Sequence, residues 1–242
     1  MRVAEGFVVA EHDVAGVRDE GDTAEVRTTI DASRGCELLE QRVLRFAPGR
    51  SLDRTDGERQ ELLYVLDGTG TLELDGVRHA LEPQTAAFVA RGETYAVEND
   101  GPGELRVLSV FAPDEGLTPE RRVTVRLADR PDESATADRT FRRLVCEETG
   151  CLGVTQFVGV IPPGRAPVHH HLYDEVVYVL DGKGVYHIGD DAVPLAPGTC
   201  IHLPPRVSHC LENTGAGELR VLGVFYPSGS PAAAYPGEYD NK

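Results

Sequence analysis

A long internal repeat limits this chain to folds that can be built twice in succession. Residues 103–113 (GELRVLSVFAP) return as residues 217–227 (GELRVLGVFYP) with only two changes. The same offset of 114 residues (217 − 103) relates residues 64–70 to residues 178–184. Solenoid repeats have periods of roughly 20 to 50 residues, so a period of this length indicates a duplicated domain. The 242 residues leave room for two domains of roughly 100 to 130 residues each.

Each copy of the repeat consists of short runs rich in Val, Leu, Phe and Tyr, which Asp-Gly and Pro-Gly turns interrupt every several residues. This pattern is typical of an antiparallel β-sandwich or small barrel, and helical periodicity is weak throughout. We therefore expect an all-β protein with domains at residues 1–115 and 116–242. The charged segment 115–140 is expected to connect the copies, and residues 228–242 are expected to form an extended arm.

The net charge and the cysteine content of the chain limit which partners and which cellular compartment we expect for it. The formal net charge of −16 repels phosphate backbones and anionic lipid, so nucleic acid is not an expected partner. Neither a signal sequence nor a run of roughly eighteen apolar residues is recognisable, so we expect no membrane partner and a cytoplasmic location. Five cysteines, an odd number without tight repeated spacing, favour reduced thiols over a disulfide framework.

A cluster of metal-ligand residues distinguishes the second copy. His169, His171 and Glu175 have the same parity, so on an extended strand their side chains leave the same face. Two imidazoles and a carboxylate then converge, and His209 from another strand would complete a site with three histidines and one glutamate. Such a site suits a divalent transition metal, namely Fe²⁺, Mn²⁺, Ni²⁺, Co²⁺ or Zn²⁺.

The same parity argument sorts the neighbouring residues. His170 and Asp174 have the opposite parity and are expected to face away from the ion. Tyr173 shares the parity of the ligands, so it is expected either to reach the cavity and act on substrate or to pack in the barrel wall. His202 is a candidate catalytic residue, with a supporting or core position as the alternative.

In these residues the chain resembles the cupin superfamily, and because it is duplicated it resembles a bicupin. The residues that match the two cupin motifs are Gly164, His169, His171, Glu175, Gly182, Pro204, His209 and Asn213. Arg206 stands where the second motif usually has Gly. The resemblance implies two tandem jelly-roll barrels, with a metal inside the second barrel and the three histidines and the glutamate as its ligands. In the first copy Glu61 takes the place of Glu175, but Tyr95 takes the place of His209, so no tight metal site is expected there.

Three classes of function are open on this sequence. The favoured class, implied by the resemblance, is a mononuclear metalloenzyme that oxidises a small organic molecule in the manner of a dioxygenase. The second is a redox-neutral isomerase, lyase or hydrolase in which the ion acts as a Lewis acid; the two-cupin ureidoglycine aminohydrolase has a similar architecture. The third is binding of a metabolite without turnover. All three imply a small-molecule ligand, and a monomer and a homodimer are both expected states of a bicupin.

Overall fold

Short β-strands account for almost all of the regular structure. The computed structural model describes residues 2–3, 6–136 and 138–236. Helices in this part of the chain are short 3₁₀ segments at Glu11–Asp13, Ala32–Arg34, Leu127–Asp129 and Glu147–Thr149. No helix among the described residues is long and apolar enough to cross a membrane. The expectation of an all-β fold is confirmed.

The strands of the two halves follow one another in the same general order. Those of the first half are β1 (Arg2–Val3), β2 (Gly6–Ala10), β3 (Ala24–Ile30), β4 (Glu40–Phe46), β5 (Gly49–Arg50), β6 (Arg54–Thr55), β7 (Arg59–Asp67), β8 (Gly70–Leu74), β9 (Val77–Leu81), β10 (Thr85–Val89), β11 (Thr94–Asn99) and β12 (Leu105–Pro113). Those of the second half are β13 (Thr124–Arg126), β14 (Glu133–Ser134), β15 (Thr140–Arg143), β16 (Thr155–Ile161), β17 (Gly164–Arg165), β18 (His169–His170), β19 (Asp174–Asp181), β20 (Gly184–Ile188), β21 (Asp191–Leu195), β22 (Thr199–Leu203), β23 (His209–Asn213), β24 (Leu219–Tyr226) and β25 (Tyr235–Pro236).

Each half builds an antiparallel barrel from two sheets. The first barrel packs the sheet β13-β10-β7-β12-β4-β3 on the sheet β5-β11-β8-β9, in which β6 also pairs with β11. The second packs β1-β2-β22-β19-β24-β16-β15-β14 on β21-β20-β23-β18-β25, in which β17 also pairs with β23. The register repeats as well, since Phe111 pairs with Glu61 and Phe225 pairs with Glu175. Two tandem jelly-roll barrels are therefore present, as predicted.

The two barrels exchange their leading strands. β2 at the start of the chain pairs with β22 of the second barrel through Phe7 and His202. In the same way β13, which lies in the predicted connecting segment, pairs with β10 of the first barrel through Val125 and Ala86. The segment before the first repeat thus extends a sheet of the second barrel, and the segment before the second repeat extends a sheet of the first. The domain boundary between residues 115 and 116 stays a prediction, because strands on each side of it pair with the barrel on the other side.

Alternation along the strands creates two barrel interiors and one shared core between the barrels. On β7, Leu63 faces the interior of the first barrel, while its neighbour Leu62 faces the shared core. On β19, Val177 faces the interior of the second barrel, and Val176 faces the shared core. Successive side chains of a strand point to opposite faces, so neighbouring residues of these strands join different cores.

The five cysteines are all buried free thiols. The sequence favours reduced thiols, and the structure agrees with that prediction. Their position in the cores is usual for cysteine, which packs as a small apolar side chain.

Candidate metal centre

Three imidazoles meet inside the second barrel at the end of the two-sheet sandwich. The register of β18 and β23 places His169 directly opposite His209, and His171 follows β18 by one residue. The ring centroid of His169 lies 4.8 Å from those of His171 and His209. The three rings offer nitrogen atoms that all lie within 4.8 Å of one another. The structure therefore brings the three histidines together, although β18 ends at His170 and the chain does not continue as one strand to Glu175.

Backbone carbonyls hold each of these imidazoles in the same tautomer. Nδ1 of His169 lies 2.9 Å from the carbonyl oxygen of Pro167, and Nδ1 of His209 lies 2.8 Å from that of Val207. Nδ1 of His171 lies 3.3 Å from the carbonyl of residue 233. A carbonyl only accepts hydrogen bonds, so each Nδ1 carries the proton and each Nε2 keeps a free lone pair. This is the arrangement in which a histidine binds a metal through Nε2.

Burial keeps the three rings neutral. Desolvation lowers the pKa of His209 to about 3 and that of His171 to about 4, and it also lowers the pKa of His169. The positive charge of neighbouring histidines contributes to the lowered pKa values of His209 and His171. At neutral pH protons therefore do not compete with a metal for the Nε2 atoms.

Glu175 lies beside the imidazoles but outside the tightest cluster. Its Oε2 is 3.9 Å from Nε2 of His171, and the compact group of donor atoms contains the three histidines without it. Burial, with a smaller contribution from the neighbouring Asp174, raises the pKa of Glu175 to about 8. No side chain or backbone N–H among the described residues donates a hydrogen bond to this carboxylate, so a nearby cation would supply its missing partner.

The first barrel fills the same place without a metal site. There the carboxylate of Glu61 accepts hydrogen bonds from Tyr95, at 3.0 Å, and from Ser109. Tyr95 occupies the position of His209, and Ser109 that of Gly223. Register on the neighbouring strand puts Arg54 opposite Tyr95, where the second barrel has His169. The expectation that the metal motifs are intact only in the second copy is confirmed.

The turn before His209 uses a left-handed residue that is not glycine. Arg206 has a φ of 66°, at the position where the cupin motif usually has Gly. Its backbone N–H donates a 2.7 Å hydrogen bond to the carbonyl oxygen of His171. Arg206 therefore adopts the left-handed conformation that a glycine would take at this place, at the cost of some backbone strain.

Tyr173 lies at the junction between the imidazoles and an aromatic cluster. Its ring stacks on His171 with centroids 4.6 Å apart and on Phe225 with centroids 3.9 Å apart. It also lines a cavity of about 390 Å³, to which His169 and Glu175 contribute. Tyr173 thus packs in the barrel wall and faces the cavity at once, so both roles predicted for it remain compatible with its position.

The cavity has a mostly apolar wall and a size that suits a small organic molecule. Its apolar lining includes Phe141, Phe157, Val177, Leu203, Val221 and Pro231. Arg139 also lines it, and no carboxylate in the described part of the chain lies within ion-pair distance of this guanidinium. Sequence reasoning missed Arg139 because it lies in the predicted connecting segment. The one available signal was its position directly before the short strand β15 (Thr140–Arg143).

The C-terminal arm closes one side of the site. Its short strand β25 pairs with β18, and Tyr235 stacks on His170 with ring centroids 5.6 Å apart. The carbonyl of Ala233 accepts the hydrogen bond from His171. An extended arm was predicted for residues 228–242; its described part lies beside the candidate ligands, and residues 237–242 lie outside the described residues.

His202 lies on the other face of the sheet from Glu175. It pairs in register with Val176, which belongs to the shared core between the barrels, and its Nε2 is 2.7 Å from Oδ1 of Asp174. Asp174 therefore faces away from the imidazole cluster, as expected. Of the two residues suggested for catalysis, the structure places Tyr173 beside the candidate ligands and His202 in the shared core.

The family model for the cupin domain matches this chain twice, at residues 42–111 and 157–225. Among curated proteins, the oxalate-binding protein of Thermotoga maritima is 36% identical over 67 residues, which are 27% of this chain and 55% of that protein. Auxin-binding protein 1 of Arabidopsis thaliana is 29% identical over 73 residues, which are 26% of this chain and 37% of that protein. The chain thus spans about half or less of the length of these relatives.

Solved structures agree with the fold. A putative glyoxylate-induced protein from Pseudomonas aeruginosa superimposes with a TM-score of 0.80 at 20% identity, over 95% of this chain and 92% of that one. A variant of oxalate decarboxylase from Bacillus subtilis gives a TM-score of 0.78 at 12% identity, over 98% of this chain and 80% of that one. Identities this low show a shared fold and no more. Because the family model covers more than half of the sequence in two separate copies, the chain belongs to the cupin family and is a bicupin.

Proposed function

We propose that this bicupin is a mononuclear metalloenzyme that oxidises a small organic substrate in the manner of a dioxygenase. The divalent transition metal would be held in the second barrel by three histidines and one glutamate, namely His169, His171, His209 and Glu175. The observation that carries the proposal is the convergence of three neutral imidazoles, with their Nε2 lone pairs free, beside an apolar cavity. Nitrogen and carboxylate ligands with open positions are typical of non-haem oxygenases.

Glu175 is proposed as the fourth ligand because of its distance from the imidazoles and its lack of other partners. Ligand atoms about 2.1 Å from one ion lie roughly 3 to 4 Å apart. Oε2 of Glu175 is 3.9 Å from Nε2 of His171, which falls in this interval. Glu61 in the first barrel has hydrogen-bond donors and Glu175 does not, so the buried carboxylate of the second barrel is the one that a cation would stabilise.

The substrate is proposed to combine an apolar body with an acidic group. The apolar lining of the cavity favours a hydrocarbon or aromatic framework of modest size. Arg139 at the cavity wall would bind a carboxylate or enolate of that substrate, since its guanidinium has no ion-pair partner among the described residues.

The chain's own residues would bind and orient this substrate. Tyr173, whose pKa burial raises, keeps its hydroxyl proton and can donate it in a hydrogen bond to a substrate oxygen. The arm at residues 231–236 would exclude water from one side. When bound, the metal supplies Lewis acidity and adjacent coordination positions for substrate and O₂.

A redox-neutral lyase is the second candidate, and a specific observation favours it. The chain is 36% identical over 67 residues to an oxalate-binding protein, and it shares its fold with oxalate decarboxylase of Bacillus subtilis, which has Mn(II) centres. Arg139 would serve a dicarboxylate equally well. The apolar lining and the size of the cavity favour a larger and less charged substrate than oxalate, which is why oxidation is the first candidate.

One set of reactions tests both candidates. The purified chain is stripped with chelator, reloaded with Fe²⁺, Mn²⁺ or Ni²⁺, and offered oxalate and a panel of carboxylated enols, catechols and β-diketones. O₂ uptake that depends on both metal and substrate would support the oxidation. CO₂ release that persists under strict anaerobiosis would support the lyase and contradict the oxidation. A small molecule that copurifies with the protein and is recovered chemically unaltered, with no product on aeration, would indicate binding without turnover.

A further inference from the structure

Three buried side chains with metal-ligand chemistry meet between the barrels, on the opposite face of the sheet from the histidine cluster. They are Cys36 of the first barrel and Asp174 and His202 of the second. Their donor atoms all lie within 4.8 Å of one another. Oδ1 of Asp174 is 2.7 Å from Nε2 of His202, and Oδ2 is 3.7 Å from Sγ of Cys36. Each of the three residues is at most 6% exposed.

The repeat provides an internal comparison for this group. At the equivalent place in the other half of the interface stand Gln60, Phe88 and Cys151, where Sγ of Cys151 lies 3.2 Å from Oε1 of Gln60. The two cysteines follow glycines of nearly equal φ, 95° and 94°, so the backbone is alike on both sides. An amide, a benzyl ring and a thiol make no metal site. The two halves of the interface therefore differ at two positions: Asp174 and His202 in one half correspond to Gln60 and Phe88 in the other.

The charge of the group calls for a cation. The carboxylate of Asp174 lies among apolar residues of the shared core, and the partners recorded for it in the described chain are His202 and Cys36, with no Arg or Lys. A buried carboxylate needs a countercharge, and a cation held by all three side chains would supply it. In the metal-bound form the thiolate and the carboxylate carry two negative charges, which a divalent cation balances.

We propose that Cys36, Asp174 and His202 form a second metal site, which takes Zn²⁺ and fastens the two barrels together. Sulfur, nitrogen and carboxylate oxygen are the donors that Zn²⁺ selects in proteins. Each residue offers one donor atom to the cluster, and binding of the carboxylate through both oxygens would bring the donors to four. The role of the ion is structural, because the site lies in a packed core with every donor supplied by the chain.

Zinc binding at this site exchanges one proton and involves no redox change. Burial raises the pKa of the Cys36 thiol, so the metal-free protein carries an S–H group. On binding, the S–H bond breaks, a Zn–S bond forms, and the proton passes to the buffer. Asp174 and His202, 2.7 Å apart, would separate slightly to reach the roughly 3 to 4 Å between ligands of one ion.

Co²⁺ is the probe that separates this site from the histidine cluster. A Co²⁺–thiolate bond gives a charge-transfer absorption band, and imidazole and carboxylate ligands give none. The full chain is stripped with chelator and titrated with Co²⁺, while bound metal is counted by elemental analysis. We expect the thiolate band in the wild type and in Cys151→Ser. Cys36→Ser should lose the band together with about one equivalent of bound metal per chain.

His202→Phe is a second variant that guards against a folding defect, because it copies the phenylalanine that the other half of the interface already packs. It should also lose the band and keep Co²⁺ at the histidine cluster. A wild type that binds Co²⁺ without a thiolate band would overturn the proposal, and so would a band that persists in Cys36→Ser. If Cys36→Ser does not fold, loss of the band in His202→Phe assigns the band to this site.

Discussion

Gly223 determines how much room the candidate site has, and Gly223→Ala tests this directly. An added Cβ would lie 2.3 Å from Cε1 of Phe157 and 2.8 Å from Oε1 of Glu175. Carbon atoms in contact are about 3.5 to 4.0 Å apart, so the ring of Phe157 must withdraw by more than about 1 Å. Phe157 is packed between Phe141 and Phe225, with ring centroids 6.2 and 5.9 Å away, and the open direction is the cavity.

We expect this overpacking to cost about 1 to 3 kcal/mol in the free energy of unfolding and to shrink the cavity. Urea unfolding followed by circular dichroism measures the first effect, and the crystal structure of the variant measures the second. Gly217→Ala is the matched control in the same barrel, because nothing lies within 4 Å of its added Cβ. If both variants unfold within about 0.5 kcal/mol of each other, the steric argument is wrong.

Three further predictions concern charge and access. Burial raises the pKa of Glu61 above 4.5, so the wild type loses stability as the pH rises from 4.5 through that raised pKa. Glu61→Gln should lack this loss. The difference between the unfolding free energies of the two proteins, measured in urea, should therefore grow with pH by at most about 1.4 kcal/mol per pH unit. A difference that does not change with pH would contradict the burial argument. Arg139→Gln should raise KM for an acidic substrate roughly 10- to 100-fold with metal content unchanged, and an unaltered KM would remove Arg139 from the site. Tyr235→Ala should loosen the arm, so limited proteolysis should cleave it faster than in the wild type, with equal rates counting against the stacking contact with His170.

The histidine site was within reach of the sequence because parity and spacing are local properties. His169 and His171 leave one face of the chain wherever it is extended, and the repeat itself identified Tyr95 and Glu61 as the counterparts in the first barrel. The second motif then supplied His209. Only the position of Glu175, 3.9 Å from Nε2 of His171, needed coordinates.

His202 shows where local reasoning stops. Parity distinguishes the two faces of β22 but does not say which face lines the barrel and which faces the other barrel. That depends on the packing of the repeats, which buries His202 beside Cys36, a residue far away in the sequence. The exchange of β2 was missed because its partner strand lies near the other end of the chain. The sequence predicted the extended arm but not its pairing with β18 beside the candidate ligands.

The central claim is that His169, His171, His209 and Glu175 together hold a metal ion, and a calorimetric titration of the chelated protein with Mn²⁺ tests it most directly. Mn²⁺ prefers oxygen and imidazole ligands to thiolate, so the titration reports on the histidine cluster. His171→Ala should weaken Mn²⁺ binding by at least about 100-fold, or about 2.7 kcal/mol. His170→Ala, one residue away on the other face, should bind as the wild type does. Equal losses in the two variants, or an undiminished affinity in His171→Ala, would contradict the account.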